Sequence, residues 1–182
     1  MRKVILLLFT GILISCSSPP KFQLLNSRQT GIDFANTIVE SDSFNLMKYE
    51  YIYNGAGVGI ADFNNDGLQD IMFAGNQVSP RVYLNLGKFK FKDITSNFAG
   101  LTNDQWYSGV TIVDINSDGW ADVYLTSTAN KNPQKRRNRL WVSNGVRDGM
   151  DPTYTEMAER YGIADTSYSV NASFSLNLFP HG

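Results

Sequence analysis

The stretch Gly57-Val58-Gly59-Ile60-Ala61-Asp62-Phe63-Asn64-Asn65-Asp66-Gly67-Leu68-Gln69-Asp70 returns 52 residues later as Gly109-Val110-Thr111-Ile112-Val113-Asp114-Ile115-Asn116-Ser117-Asp118-Gly119-Trp120-Ala121-Asp122. Each copy is an apolar run that breaks into a short loop of Asp, Asn and Gly. A second run follows, Ile71 to Ala74 in one unit and Val123 to Thr126 in the other. A third spans Arg81 to Gly87 and Arg139 to Gly145, and a fourth Phe89 to Ile94 and Thr153 to Met157. β-Branched and aromatic residues fill these runs and turn residues separate them, so each unit predicts four short strands. Helix is predicted at most as a single turn within residues Thr155 to Tyr161.

A unit of this length holding four strands has the pattern of one blade of a β-propeller, a sheet that needs a neighbour to cover its faces. A third unit starts at Tyr168-Ser169, which matches Tyr107-Ser108 at an offset of 61. That alignment sets Ser175, Asn177 and Phe179 where Asp114, Asn116 and Asp118 stood, so the loop chemistry is lost. The expected fold is therefore all-β over residues 30–182: an incomplete propeller of two four-stranded blades plus the start of a third. Because propellers typically close with four to eight blades, the chain reads as a truncated or frameshifted piece of a longer protein. A natural capping variant is the alternative.

In the loop pattern D-x-N-x-D-G-x-x-D, positions one, three and five carry side-chain oxygens, and Gly at six permits a sharp turn. A backbone carbonyl at seven and Asp at nine complete an all-oxygen set that suits a hard cation. The first candidate set is Asp62, Asn64, Asp66, the Leu68 carbonyl and Asp70; the second is Asp114, Asn116, Asp118, the Trp120 carbonyl and Asp122. Ca²⁺ is preferred to Mg²⁺ because it accepts more ligands in irregular geometry. An EF-hand is excluded, since its position twelve requires Glu and here falls on Phe73 and Leu125. The bland alternative is a pair of Asx-rich turns that need no metal. Against it, three carboxylates within nine residues repel one another unless something neutralises them.

The 182 residues carry 16 Lys+Arg against 17 Asp+Glu, with 42% hydrophobic and 18% charged residues. That is the balance of a folded chain, neither disordered nor polyionic. One Cys and one His exclude a disulfide scaffold and a Cys-rich zinc module. The lone His181 supports neither a metal site nor a catalytic triad.

Met1-Arg2-Lys3 precedes the apolar run Val4 to Ile14 and the small, polar Ser15-Cys16-Ser17-Ser18. This is the layout of a secretory signal, and it is too short for a spanning helix, which needs about 20 apolar residues. Leu13-Ile14-Ser15-Cys16 resembles a bacterial lipoprotein signal, which implies cleavage before Cys16 and attachment of acyl chains to it. The expected organisation is a signal over residues 1–15, a polar tether over 16–29 and the repeat region thereafter. Removing residues 1–15 leaves 14 basic against 17 acidic residues, a net charge of −3 that does not favour nucleic acid.

The acidic loops, set between a G-V-x-I run and a D-[IV]-x-[FL] run, resemble the FG-GAP/VCBS repeats of integrin alpha-chain propellers. They are similar also to bacterial lipoproteins of the ASPIC/UnbV, cartilage acidic protein-like type. Supporting phrases are Thr30-Gly31-Ile32-Asp33-Phe34, Tyr53 to Val58, Tyr83-Leu84-Asn85 and Phe91-Lys92-Asp93-Ile94-Thr95. The resemblance covers about Thr30 to Phe174. It implies a Ca²⁺-dependent extracytoplasmic propeller with adhesive or recognition roles, held in the cell envelope by its lipid, with a protein or glycan as ligand. No literal Gly-Ala-Pro occurs, and the family's C-terminal module is absent from the sequence.

Other patterns yield less. Gly55-Ala56-Gly57-Val58-Gly59 fails the dinucleotide register at Ile60, and an acidic loop follows where a helix should start. Those glycines instead suit a close strand approach near the propeller axis. The basic cluster Lys131, Lys135, Arg136, Arg137 and Arg139 reads as a solvated loop. Trp106, Tyr107, Trp120, Tyr124 and Trp141 read as packing between blades, with sugar stacking as the alternative. No nucleophile elbow, zinc-protease pattern or Walker loop is present, so the expected function is non-catalytic recognition or scaffolding. The alternative is a fragment of a carbohydrate-active propeller enzyme whose catalytic residues lie elsewhere.

Overall fold

The computed structural model describes residues 22–167. Each repeat unit forms one antiparallel sheet with its four strands in chain order. The first sheet holds β1 (Val58–Ala61), β2 (Asp70–Phe73), β3 (Arg81–Asn85) and β4 (Phe91–Asp93). The second holds β5 (Trp106–Val113), β6 (Asp122–Thr128), β7 (Arg139–Ser143) and β8 (Tyr154–Glu156). Two such meanders with very little helix are blades of a propeller-type all-β fold that is not closed into a ring. The expected signal over residues 1–15, Cys16, the expected third-unit positions Ser175, Asn177 and Phe179, and His181 lie outside the described residues. Among the described residues no helix is long and apolar enough to cross a membrane.

Period-two alternation decides which face meets which. Met72, Val82 and Leu84 point from the first blade, and Val123, Leu125 and Trp141 from the second, into one shared core. Trp141 is fully buried, and its indole N–H donates to the Ala99 carbonyl at 3.0 Å. The blades meet most closely where β1 lies against β5. A Cβ on Gly57 would sit 2.6 Å from the Val110 nitrogen, and one on Gly59 would sit 2.6 Å from Val110 Cγ1. Only glycine permits that approach, as the sequence reading expected.

The outer faces are covered by chain from outside the strands. On the second blade, Tyr124, Leu140, Val142 and Ala158 pack with Met157, Ile163 and Ala164. There the Tyr161 N–H reaches the Met157 carbonyl at 3.1 Å, closing the single predicted turn. On the first blade, Phe34 stacks on Phe73 with ring centroids 4.9 Å apart, and the Tyr83 hydroxyl donates to Asp33 Oδ1 at 2.9 Å. Just before this cover runs α1 (Ser27–Thr30), one turn held by a reciprocal cap between Asn26 and Gln29.

Tyr107, Tyr124 and Trp141 are buried, while Trp106 and Trp120 are only half-buried. The basic cluster divides in the same way. Lys131 and Lys135 are exposed, but Arg136 donates from Nε to the Thr166 carbonyl at 2.6 Å. Arg137 pairs with Glu159 at 2.5 Å, and Arg139 lies 3.7 Å from Glu156. The lysines are solvated as expected; the arginines tie the loop to the body of the blade.

Candidate metal centre

Both acidic loops leave the same end of an inner strand and fold by the same local chemistry. In the first, Asp62 Oδ1 accepts from Asp66 N at 3.0 Å and Oδ2 from Gly67 N at 2.7 Å. Asn64 Oδ1 accepts from Asp66 N at 3.2 Å, and Asp66 Oδ1 from Leu68 N at 2.8 Å. The second loop repeats this on Asp114, Asn116 and Asp118, with distances of 3.0, 2.8, 3.1 and 2.9 Å in the same order. Gly67 at φ +86° and Gly119 at +84° adopt the left-handed turn that the pattern requires. The loops touch, for Asn65 Nδ2 donates to the Gly119 carbonyl at 3.1 Å.

Asp70 and Asp122 do something the sequence reading did not anticipate. Asp70 is fully buried at the start of β2, where Oδ2 accepts from Phe63 N and Oδ1 from Asn85 N, both at 2.7 Å. Asp122 repeats this with Ile115 N at 3.0 Å and Ser143 N at 2.8 Å. Each carboxylate therefore staples its own loop to the third strand of its blade. Burial raises both above the ordinary carboxylate range, against the lowering effect of the backbone donors. The charges of Asp66 and Asp62 push Asp70 the same way, and those of Asp118 and Asp114 push Asp122.

The structure thus brings the first, third and fifth positions of each loop together and turns the ninth toward the backbone. Among the described residues, no group of three or more His, Cys, Asp or Glu side chains is drawn close enough to hold a metal ion as it stands. Instead Asn64 Nδ2 donates to Asp66 Oδ2 at 2.9 Å, and Asn116 Nδ2 to Asp118 Oδ2 at 2.8 Å. The donor set still fits a hard cation. It is all oxygen, and each carboxylate accepts two of the roughly four bonds it can take. Among the described residues the ion pairs go to Asp93, Asp151, Glu159 and Glu156, not to the loops. Asp62, Asn64 and Asp66 would hold the ion in one loop, and Asp114, Asn116 and Asp118 in the other; Asp70 and Asp122 would join only by sharing the oxygens that now accept from the backbone. The Leu68 and Trp120 carbonyls would join them.

The duplicated loops are similar to known repeats. Residues 62–125 match the FG-GAP-like repeat family. The matched span runs from the first acidic loop through the second to the middle of β6. The chain is also 32% identical over 108 residues to cartilage acidic protein 1 of Xenopus tropicalis. That alignment takes in 57% of this chain and 16% of the relative, so the chain spans a minor part of the curated protein it matches. The matched span takes in both acidic loops, whereas β1 and everything after the middle of β6 lie beyond it.

Proposed function

We propose that residues 30–167 are a calcium-stabilised, non-catalytic segment of an extracytoplasmic β-propeller lipoprotein that serves recognition or scaffolding. The observation that carries this reading is the duplication of seven hydrogen bonds around Asp62, Asn64, Asp66 and Asp70 at Asp114, Asn116, Asp118 and Asp122. A turn serving only to reverse the chain does not require three carboxylates in one electrostatic field. A divalent ion would supply the positive charge the loops lack, and would fix the β1–β2 and β5–β6 turns. The Leu13-Ile14-Ser15-Cys16 segment supports anchorage through acylated Cys16 in a bacterial envelope.

Thermal unfolding of the full chain in Ca²⁺ and in chelator tests the metal. At ten- to hundredfold excess over Kd each site adds about 1.4–2.7 kcal/mol, with Kd expected at about 10⁻⁴–10⁻³ M as in extracellular modules. The double variant Asp66→Asn, Asp118→Asn should lose that response. Identical melting in both buffers would overturn the calcium reading. Labelled-palmitate incorporation in a bacterial host, lost in Cys16→Ser, tests the anchor.

A further inference from the structure

At the strand ends opposite the acidic loops, the segment feeding β1 and the start of β5 enclose a cavity of about 580 Å³. Two backbone features create it. Gly57 lines one side of it, pressed so close to β5 that a Cβ there would lie 3.0 Å from Gly109 Cα. Its wall comes from a β-bulge. The β5–β6 register steps from Tyr107↔Ser127 to Gly109↔Thr126 and leaves Ser108 unpaired.

The bulge reverses side-chain parity. Val110 and Ile112 face the inter-blade core, and uninterrupted alternation would send Trp106 and Ser108 there too. Instead Tyr107 enters the core, while Trp106 and Ser108 line the cavity. Trp106 packs against Phe44 with centroids 5.1 Å apart, and Tyr49 and Tyr51 extend the aromatic wall. Beyond Trp106 a second cavity of about 520 Å³ shares Phe44, Tyr49 and Trp106, and adds the amides Asn76, Gln77, Asn103 and Gln105. Trp106 therefore stands in the middle of an elongated cleft.

We propose that this cleft binds a neutral oligosaccharide. Flat aromatic faces suit the C–H faces of sugar rings, and convergent polar groups suit their hydroxyls. Glu50, Asn54, Ser108 and Thr128 supply those groups in the first cavity. Among the described residues the lining of the first cavity includes no Lys or Arg, and in the second Lys131 is accompanied by Asp104, whereas a nucleotide or sulfated polymer needs several cationic partners. Each volume falls in the range of about 300–1,000 Å³ usual for small-molecule sites.

This inference rests on the recognition reading and specifies its ligand. The test follows tryptophan fluorescence of the full chain with cellotriose, maltotriose and chitotriose, then with ATP, heparin and a decaproline peptide. Each titration is run in Ca²⁺ and in chelator. At least one trisaccharide should change the emission saturably. The Glu50→Ala, Asn54→Ala double variant, altering two exposed side chains, should weaken binding about tenfold or more at unchanged melting temperature. Trp106→Phe should keep binding, detected calorimetrically, while losing most of the fluorescence change. A saccharide response that ignores the double variant overturns the site. Binding of only the peptide or the anions, weakened by the double variant, overturns the ligand class and leaves recognition standing. Silence toward every ligand overturns both.

Discussion

Replacing Asp70 with alanine strips the acceptors from two backbone donors, Phe63 N and Asn85 N, that now lie 2.7 Å from its oxygens. Asp70 is 0% exposed, so water does not take its place. Each buried donor left without a partner costs about 1–3 kcal/mol, or about 2–6 kcal/mol for the pair. Removing the carboxylate also relieves a charge that burial and the neighbouring Asp66 and Asp62 already disfavour. The net loss therefore belongs in the lower part of that range, about 2–4 kcal/mol. In urea unfolding of the full chain with chelator present, that loss lowers the midpoint by about 1–2 M at a slope near 2 kcal/mol/M. Asp66→Ala is the control. Its oxygens bond to Leu68 N at 2.8 Å and Asn64 Nδ2 at 2.9 Å in an exposed loop where water can substitute. Its metal-free cost should stay below about 1 kcal/mol, while its calcium response disappears. If Asp70→Ala proves no more damaging than Asp66→Ala in chelator, the staple is not what joins loop to strand.

Gly57→Ala should destabilise by about 1–3 kcal/mol, because the new Cβ would meet Val110 N at 2.6 Å and the neighbour is backbone that cannot rotate away. The measurement is a melting-temperature drop of about 2–4 °C per kcal/mol, and an unchanged melt would mean that β1 and β5 do not touch there. Alkaline unfolding should be steep. Burial, then the hydrogen bond to Asp33, pushes the Tyr83 hydroxyl from 10.0 up to about 12, and burial raises Tyr107 and Tyr154 as well. Each group keeps its proton longer when folded; for Tyr83 the stabilisation is intact below pH 10.0 and fades as pH climbs through about 12. Tyrosinate absorbance and circular dichroism should change together over that interval. Complete ionisation of an intact fold would contradict the burial of these rings.

The local chemistry of the acidic loops was legible because every partner in it sits close along the chain. Asp62 caps donors four and five residues on, and Gly67 turns where the pattern places glycine. What Asp70 does was not legible, because its second donor, Asn85, lies 15 residues away on a strand whose register no local pattern sets. The same holds for the arginines, since Arg136 and Arg137 reach Thr166 and Glu159 across the blade edge. The one-turn α1 is too short to show a period, although its Asn26 and Gln29 cap was there to be found.

The sequence by itself determined the two-blade repeat, the strand count and the twin acidic loops, since self-similarity, alternation and turn chemistry are properties of near neighbours. Tertiary structure alone decided that Asp70 and Asp122 face the backbone and that a bulge at Ser108 turns Trp106 toward a cleft. A single unpaired residue changes which side of a strand faces the core, and only the pairing of distant strands reveals it.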